Sequence, residues 1–287
     1  MQDKLFKAVP EPYKTECARQ GVIESKEYTV TIGNEQTTKR FNIYLPYGYH
    51  ESPDKQYSVL YLMHGGGENE NTIFGGPGQN RELKNILDHM IANGDIEPLL
   101  VVTPSFYGGR NDAALFYEEW IDVLAPLVET TYRTYAASGA KEDLKASRAH
   151  RAFSGFSMGA VSTWRSFIKG LDYIKYFVPL SGDCWELGVK AGNTKPHETA
   201  ELLAQAAKNS GYGPRDYFVL CATGEQDIAY PNLKPQVEAM KLQRDAFIYS
   251  GDLNEGNFYF LSTPDGVHNW QWQHQFLYNI LPDLFKY

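Results

Sequence analysis

Long apolar runs are missing from this sequence. No stretch of its 287 residues approaches the ~18 continuous apolar positions that a membrane-spanning helix needs, and residues 1–10 hold no apolar core of signal-peptide length. A secreted form would carry its signal outside these residues. Positive charge is also short: 27 Lys and Arg face 35 Asp and Glu, a formal net charge of −8 with no basic run to offset it. That balance disfavours a grip on nucleic acid or on an anionic membrane surface. Cysteine is scarce, and Cys17, Cys184 and Cys221 form an odd set without metal-ligand spacing. Cys221 lies in an apolar run and reads as a buried free thiol; if a disulfide forms, the expected pair is Cys17 with Cys184. A low-complexity linker, a shift in composition and an internal repeat are lacking too. The expectation is a single domain over residues 1–287, with residues 1–26 an irregular N-terminal arm.

What is present suffices for a sizeable core, since 43% of the residues are apolar. Residues 27–32 and 39–46 read as strands, the second turning Phe41, Ile43 and Leu45 inward, with Gly33-Asn34 as a turn signal; this predicts an antiparallel hairpin at a sheet edge. Continuous apolar runs at 57–63 and 99–103 suit strands covered on both faces. Further strands are expected at 176–180, 217–222 and 257–262. Helical spacing appears at 81–91, 116–132 with a kink at Pro126, 198–208, 233–242 and 270–285. Strands alternating with helices argue an α/β fold: a mostly parallel central sheet, antiparallel at its N-terminal edge, with helices on both faces.

Gly155-Phe156-Ser157-Met158-Gly159 is a G-x-S-x-G pentapeptide. A strand reading at 150–154 precedes it, and a helical face of Val161, Trp164, Phe167 and Ile168 follows. Strand, sharp turn and helix together lift a serine hydroxyl clear of a sheet. Outside that setting the pentapeptide would be an ordinary glycine-rich turn. A serine hydroxyl is a poor nucleophile until a neutral imidazole takes its proton, and a carboxylate must hold that imidazole in the right tautomer. In parallel sheets such groups sit at the carboxyl ends of strands, and the order serine, acid, histidine is that of the α/β-hydrolase fold. Only His197, His268 and His274 follow Ser157. His197 leads into a helix and His274 falls inside one, which leaves His268, after the last strand, as the base. The acid stays open on spacing alone: Glu225 and Asp227 share one turn, and Asp183 and Asp265 also end strands. An oxyanion would need two backbone N–H groups, one from Met158 and one from His64-Gly65-Gly66-Gly67, where Gly66 or Gly67 can approach a carbonyl more closely than His64. A phosphate-binding turn is the other reading of that loop, but no Gly-Lys-Ser/Thr follows it.

From about Lys39 to the C-terminus the chain resembles the feruloyl esterases of carbohydrate esterase family 1, especially the esterase modules joined to clostridial xylanases. The densest patches are residues 61–74, the pentapeptide at 155–159, Pro179-Leu180-Ser181-Gly182-Asp183, Asp227-Ile228-Ala229-Tyr230, and Asn257-Phe258-Tyr259-Phe260-Leu261 leading to His268. The resemblance implies Ser157 as nucleophile, His268 as base and Asp227, over Glu225, as acid, with Gly67 and Met158 at the oxyanion positions. Trp185 matches an aromatic position beside the ligand; Asp183 and Trp270 are the further candidate substrate contacts. The implied activity is release of ferulic and related hydroxycinnamic acids from feruloylated arabinoxylan or its oligosaccharides through a covalent acyl-enzyme. It implies no metal or cofactor, no nucleic-acid or membrane partner, and an extracellular setting. Asn269-Trp270 replaces the two aromatics that relatives tend to have, and residues 74–80 are unusually rich in glycine. An acetyl xylan esterase or another short-chain carboxylesterase or thioesterase of the superfamily is the alternative. An inactive carbohydrate-binding protein on a hydrolase fold would show a broken triad, and this chain has all three residues.

Overall fold

The apolar runs become the inner strands of one eight-stranded sheet in the computed structural model, which describes residues 3–109 and 111–287. In chain order the elements are β1 (Val22–Ile32), β2 (Glu35–Leu45), β3 (Ser58–Met63), α1 (Glu82–Ala92), β4 (Leu99–Thr103), α2 (Phe116–Glu119), α3 (Ala125–Thr131), α4 (Lys141–Ala146), β5 (Arg151–Phe156) and α5 (Met158–Gly170). They continue with β6 (Tyr176–Leu180), α6 (Ala191–Thr194), α7 (Pro196–Ser210), β7 (Phe218–Gly224), α8 (Tyr230–Met240), β8 (Phe258–Thr263) and α9 (Trp270–Ile280). The strand order is β1-β2-β4-β3-β5-β6-β7-β8. β3 to β8 run parallel, whereas β1 pairs β2, and β2 pairs β4, antiparallel. Helices surround the sheet, so every residue of β4, β5, β6 and β7 is buried, and β4 accordingly reads as an unbroken apolar run.

The parallel register matters most for function. Met63 of β3 lies opposite Gly155 of β5, and Phe156 of β5 lies opposite Leu180 of β6. The carboxyl ends of three neighbouring strands are thus level, and the strand order reverses between β3 and β5. That is where an open α/β sheet offers its binding crevice.

Several boundaries differ from expectation for physical reasons. β1 begins at Val22, so it takes over the end of the expected arm; Val22 pairs Leu45, and the polar Glu24 and Lys26 ride on an edge strand. Within the arm, Glu11–Lys14 forms a 3-10 turn, and residues 1 and 2 lie outside the described residues. The helix expected over 116–132 is split by a π-helical stretch, Trp120–Leu124, where the Ala125 N–H reaches back five residues to the Trp120 carbonyl just before Pro126, which has no N–H to give. The closing helix stops at Ile280 and gives way to a 3-10 turn, Leu281–Asp283, around Pro282. The three cysteines are buried and free, which corrects the Cys17–Cys184 pairing. Cys17 lies by Tyr44 of β2, and Cys184 follows β6, four strand spacings or about 19 Å across the sheet, beyond the reach of a disulfide.

Candidate active site

Ser157 occupies the turn between β5 and α5 with φ 56° and ψ −111°. A non-glycine residue held there stores about 1–3 kcal/mol of strain and persists only where its surroundings enforce it. The enforcement is visible. The Ser157 N–H donates to the Leu180 carbonyl at 2.9 Å, fastening the turn to the end of β6. A Cβ on Gly155 would sit 2.3 Å from the Gly159 carbonyl oxygen, and one on Gly159 would sit 2.5 Å from that of Met63. Only glycine at both positions lets α5 rise this steeply over the ends of β3 and β5.

Two further strand ends bring up the partners. His268 Nε2 lies 3.0 Å from Ser157 Oγ, and His268 Nδ1 lies 2.6 Å from Asp227 Oδ1. With Nδ1–H donating to the carboxylate, the Nε2 lone pair is left for the serine hydroxyl. Asp227 is fully covered at its side chain, while that of His268 is 21% exposed. Asp227 Oδ1 also accepts the Ala229 N–H at 2.7 Å, and Oδ2 is buried with no hydrogen-bond partner among the described residues. The backbone separates Glu225 from Asp227: the Glu225 and Gln226 N–H groups are tied to the carbonyls of Thr263 and Gly266 at 3.0 Å each. That tie leaves Glu225 exposed, accepting from the Ser262 hydroxyl, and turns Asp227 inward. His197 starts α7, and His274 is buried in α9 with Nδ1 2.9 Å from Glu82.

The glycine loop after β3 lies against the helix start. A Cβ on Gly66 would come within 3.1 Å of Met158 Cγ, which places that loop beside the nucleophile turn. Met158 is the first residue of α5, so its N–H belongs to the first turn, which has no carbonyl of its own helix to bond. Gly67 adopts φ +77°, a conformation natural to glycine, and its N–H donates to the Tyr107 hydroxyl at 3.0 Å. His64 is wholly buried; Nδ1–H donates to the Gly65 carbonyl at 2.7 Å, and Nε2 accepts from the Ser105 hydroxyl at 2.8 Å. Burial lowers its pKa, so it stays neutral and serves as a brace for the loop.

The remaining candidates are placed less directly. Trp185 is half-buried on the loop after β6, and its indole N–H donates to Asp183 Oδ1 at 3.0 Å. Asp183 is buried, and its Oδ2 accepts the Gly192 N–H at 2.9 Å. Burial raises its carboxyl above the ordinary value. Trp270 is half-buried and directs its indole N–H to Glu68, 2.9 and 3.0 Å from the two carboxylate oxygens. Sequence reasoning passed over Glu68, Ser105, Tyr107 and Phe156. The rule that found the others would have flagged Ser105 and Tyr107, which follow the carboxyl end of β4. Phe156 carried no signal of its own; its ring lies 4.5 Å from the His268 ring and 5.2 Å from that of Trp270. No group of three metal-binding side chains gathers among the described residues.

A parallel sheet with an antiparallel edge, surrounded by helices and bearing a serine on a strained strand-to-helix turn with a histidine and a buried carboxylate in line, defines an α/β-hydrolase. The chain belongs to the esterase family whose model is described as "Putative esterase" and matches residues 34–284, which places it among the carboxylic ester hydrolases. It is 46% identical over 280 residues, 98% of this chain and 24% of the relative, to endo-1,4-beta-xylanase Y of Acetivibrio thermocellus. It is 34% identical over 168 residues, 53% of this chain and 21% of the relative, to an endo-1,4-beta-xylanase/feruloyl esterase of Xylanibacter ruminicola. The chain therefore spans about a quarter of the length of the curated relatives it matches. Among solved structures, an alanine mutant of the feruloyl esterase module from Clostridium thermocellum complexed with sinapinate is similar at 45% identity and a TM-score of 0.91, covering 100% of this chain and 95% of that one.

Proposed function

We propose that this chain is a serine esterase that releases ferulic and related hydroxycinnamic acids from esters on arabinoxylan, working outside the cell. The observation that carries the reading is the 3.0 Å and 2.6 Å relay from Ser157 through His268 to Asp227. Its support on the substrate side is the likeness, over nearly the whole chain, to the feruloyl esterase module. Ser157 Oγ attacks the ester carbonyl as its proton passes to His268 Nε2. The N–H groups of Met158 and of Gly66 or Gly67 receive the oxyanion, each such donor supplying roughly 3 kcal/mol of transition-state stabilisation. When the tetrahedral species collapses, the C–O bond to the sugar breaks and His268 returns the proton to the departing alkoxide. Water then attacks the feruloyl-enzyme, gives its proton to His268, and expels Ser157, which regains it.

In this reading Trp185 forms a wall for the cinnamoyl ring. Asp183, buried and accepting the Trp185 indole N–H, holds the indole in place. For Gly67 to serve the oxyanion, the Tyr107 hydroxyl has to give up or share its N–H. The test is kcat/KM on methyl ferulate against a short acetyl ester, with Ser157→Ala as the blank. Preference for ferulate, lost in the variant, is the expected result. Hydrolysis retained by Ser157→Ala would refute the chemistry, and a preference for acetyl would move the substrate class to short-chain esters.

A further inference from the structure

We infer that Glu68 is a positioning residue that locks the oxyanion loop to the His268 loop, with Trp270 as its second anchor. The inference rests on the serine esterase reading above. Glu68 follows the glycine loop directly, and its carboxylate folds back so that Oε2 accepts the Gly65 N–H at 2.7 Å. The same carboxylate accepts the Trp270 indole N–H through both oxygens, at 2.9 and 3.0 Å. Trp270 is two residues beyond His268 and opens α9, so one side chain spans segments 202 positions apart in the chain.

The local sequence is fitted to this bridge. A Cβ on Gly65 would lie 3.1 Å from Glu68 Oε2 and 3.3 Å from the Phe156 ring, so a larger residue would press the carboxylate off its N–H. Phe156, the residue before the nucleophile, fills the space enclosed by Gly65, His268 and Trp270. The bridge therefore closes around the nucleophile turn. On one side is the loop that presents N–H groups to the oxyanion, on the other the loop that presents the imidazole. Their separation must match one tetrahedral centre, and a misplacement of about 1 Å can cost about a hundredfold in rate. A bonded carboxylate fixes that separation where two free loops would each wander.

The variants Trp270→Phe, Glu68→Gln, Glu68→Ala and Glu68→Ala/Trp270→Phe test this on methyl ferulate, beside wild type and Ser157→Ala. Trp270→Phe keeps an aromatic ring against Phe156 and deletes the N–H together with part of the indole ring system. It should lower kcat roughly 10- to 100-fold with KM within about twofold, because the loss falls on transition-state geometry. Glu68→Gln, whose amide oxygen still accepts the Gly65 N–H, should recover part of the rate lost in Glu68→Ala. The double variant should be no slower than the slower single one, since both break the same link. Unchanged kcat in Trp270→Phe, or losses that multiply in the double variant, would overturn the inference. Folding is followed by thermal unfolding of each variant; a fall in melting temperature without a fall in kcat would make the bridge purely structural and count against it. Ser157→Ala separates the two ideas: if it stays active the esterase reading fails, whereas if it is dead and the bridge variants are fully active only the bridge fails.

Discussion

Replacing Asp227 with asparagine should slow this enzyme about a thousandfold without turning the imidazole to its wrong tautomer. In serine hydrolases generally, an amide in the acid's place can donate to Nδ1, force the proton onto Nε2 and abolish the base, with losses near ten-thousandfold. Here the surroundings oppose that flip. The oxygen that meets His268 also accepts the Ala229 N–H at 2.7 Å, so an NH2 group in its place would face a second donor. The other oxygen is buried without a partner among the described residues, and the amide nitrogen should go there instead. The asparagine oxygen then accepts from both His268 Nδ1–H and Ala229, and the tautomer survives. What is lost is the negative charge that balances the imidazolium. Two unit charges about 4 Å apart at an effective dielectric of about 20 attract by roughly 4 kcal/mol, which is about three decades of rate. The stranded NH2 should also cost about 1–3 kcal/mol of stability. The assays are kcat on methyl ferulate, denaturant unfolding, and nitrogen-15 NMR of the His268 ring. An Nε2–H tautomer in the variant, or a rate loss under tenfold, would refute the reasoning.

Four other outcomes follow from the structure. Gly159→Ala should destabilise by more than about 2 kcal/mol in urea unfolding, because its Cβ meets the backbone oxygens of Met63 and His64 at 2.5 and 2.7 Å. Gly66→Ala, which meets only the flexible Met158 side chain, should fold normally. Tyr107→Phe frees the Gly67 N–H from its phenol partner, so kcat on methyl ferulate should hold or rise slightly; a hundredfold fall would show that the phenol itself serves the oxyanion. None of the three thiols should react with a disulfide reagent at pH 8 in the native protein, and all three should react in denaturant. Cys17, Cys184 and Cys221 are buried, and burial pushes the Cys184 thiol up to about 12, leaving it protonated. Rapid native labelling of even one would contradict their placement.

The inner sheet was legible because its strands are buried on both faces and therefore mostly apolar, Arg151 and Ser154 of β5 being exceptions. The edge was less so. β1 was read from residue 27 because the alternation before it, with Glu24 and Lys26 turned outward, looks like an irregular polar segment until pairing with β2 is seen. Helices α4 and α6, of six and four residues, left no periodic pattern long enough to detect. At the site, the candidate serine could be found from its pentapeptide and the candidate histidine from its place after the last strand. The acid could not, because whether Glu225 or Asp227 points inward depends on hydrogen bonds to the end of β8, a strand more than thirty residues later. Glu68 escaped for a related reason: it looks like a common loop residue, and only the fold brings it to Trp270, which the resemblance had marked as a substrate contact and not as its partner.

What the chain must achieve at this site is registration of separate strand ends, and it does so with backbone contacts more than with side chains. Between β7 and β8, a Cβ on Gly224 would fall 2.1 Å from the Gly266 backbone, so these glycines let the Asp227 and His268 loops touch main chain to main chain. Between β5 and β6 the Ser157 N–H is bonded to Leu180, and across β3 and β5 the Gly159 backbone lies on Met63. The interval between the glycine loop after β3 and the His268 loop after β8 is different. Those strands lie four places apart in the sheet, and no ladder connects them. A side-chain link is needed there, and the Glu68 carboxylate, holding Gly65 on one side and Trp270 on the other, closes the circuit that the sheet leaves open.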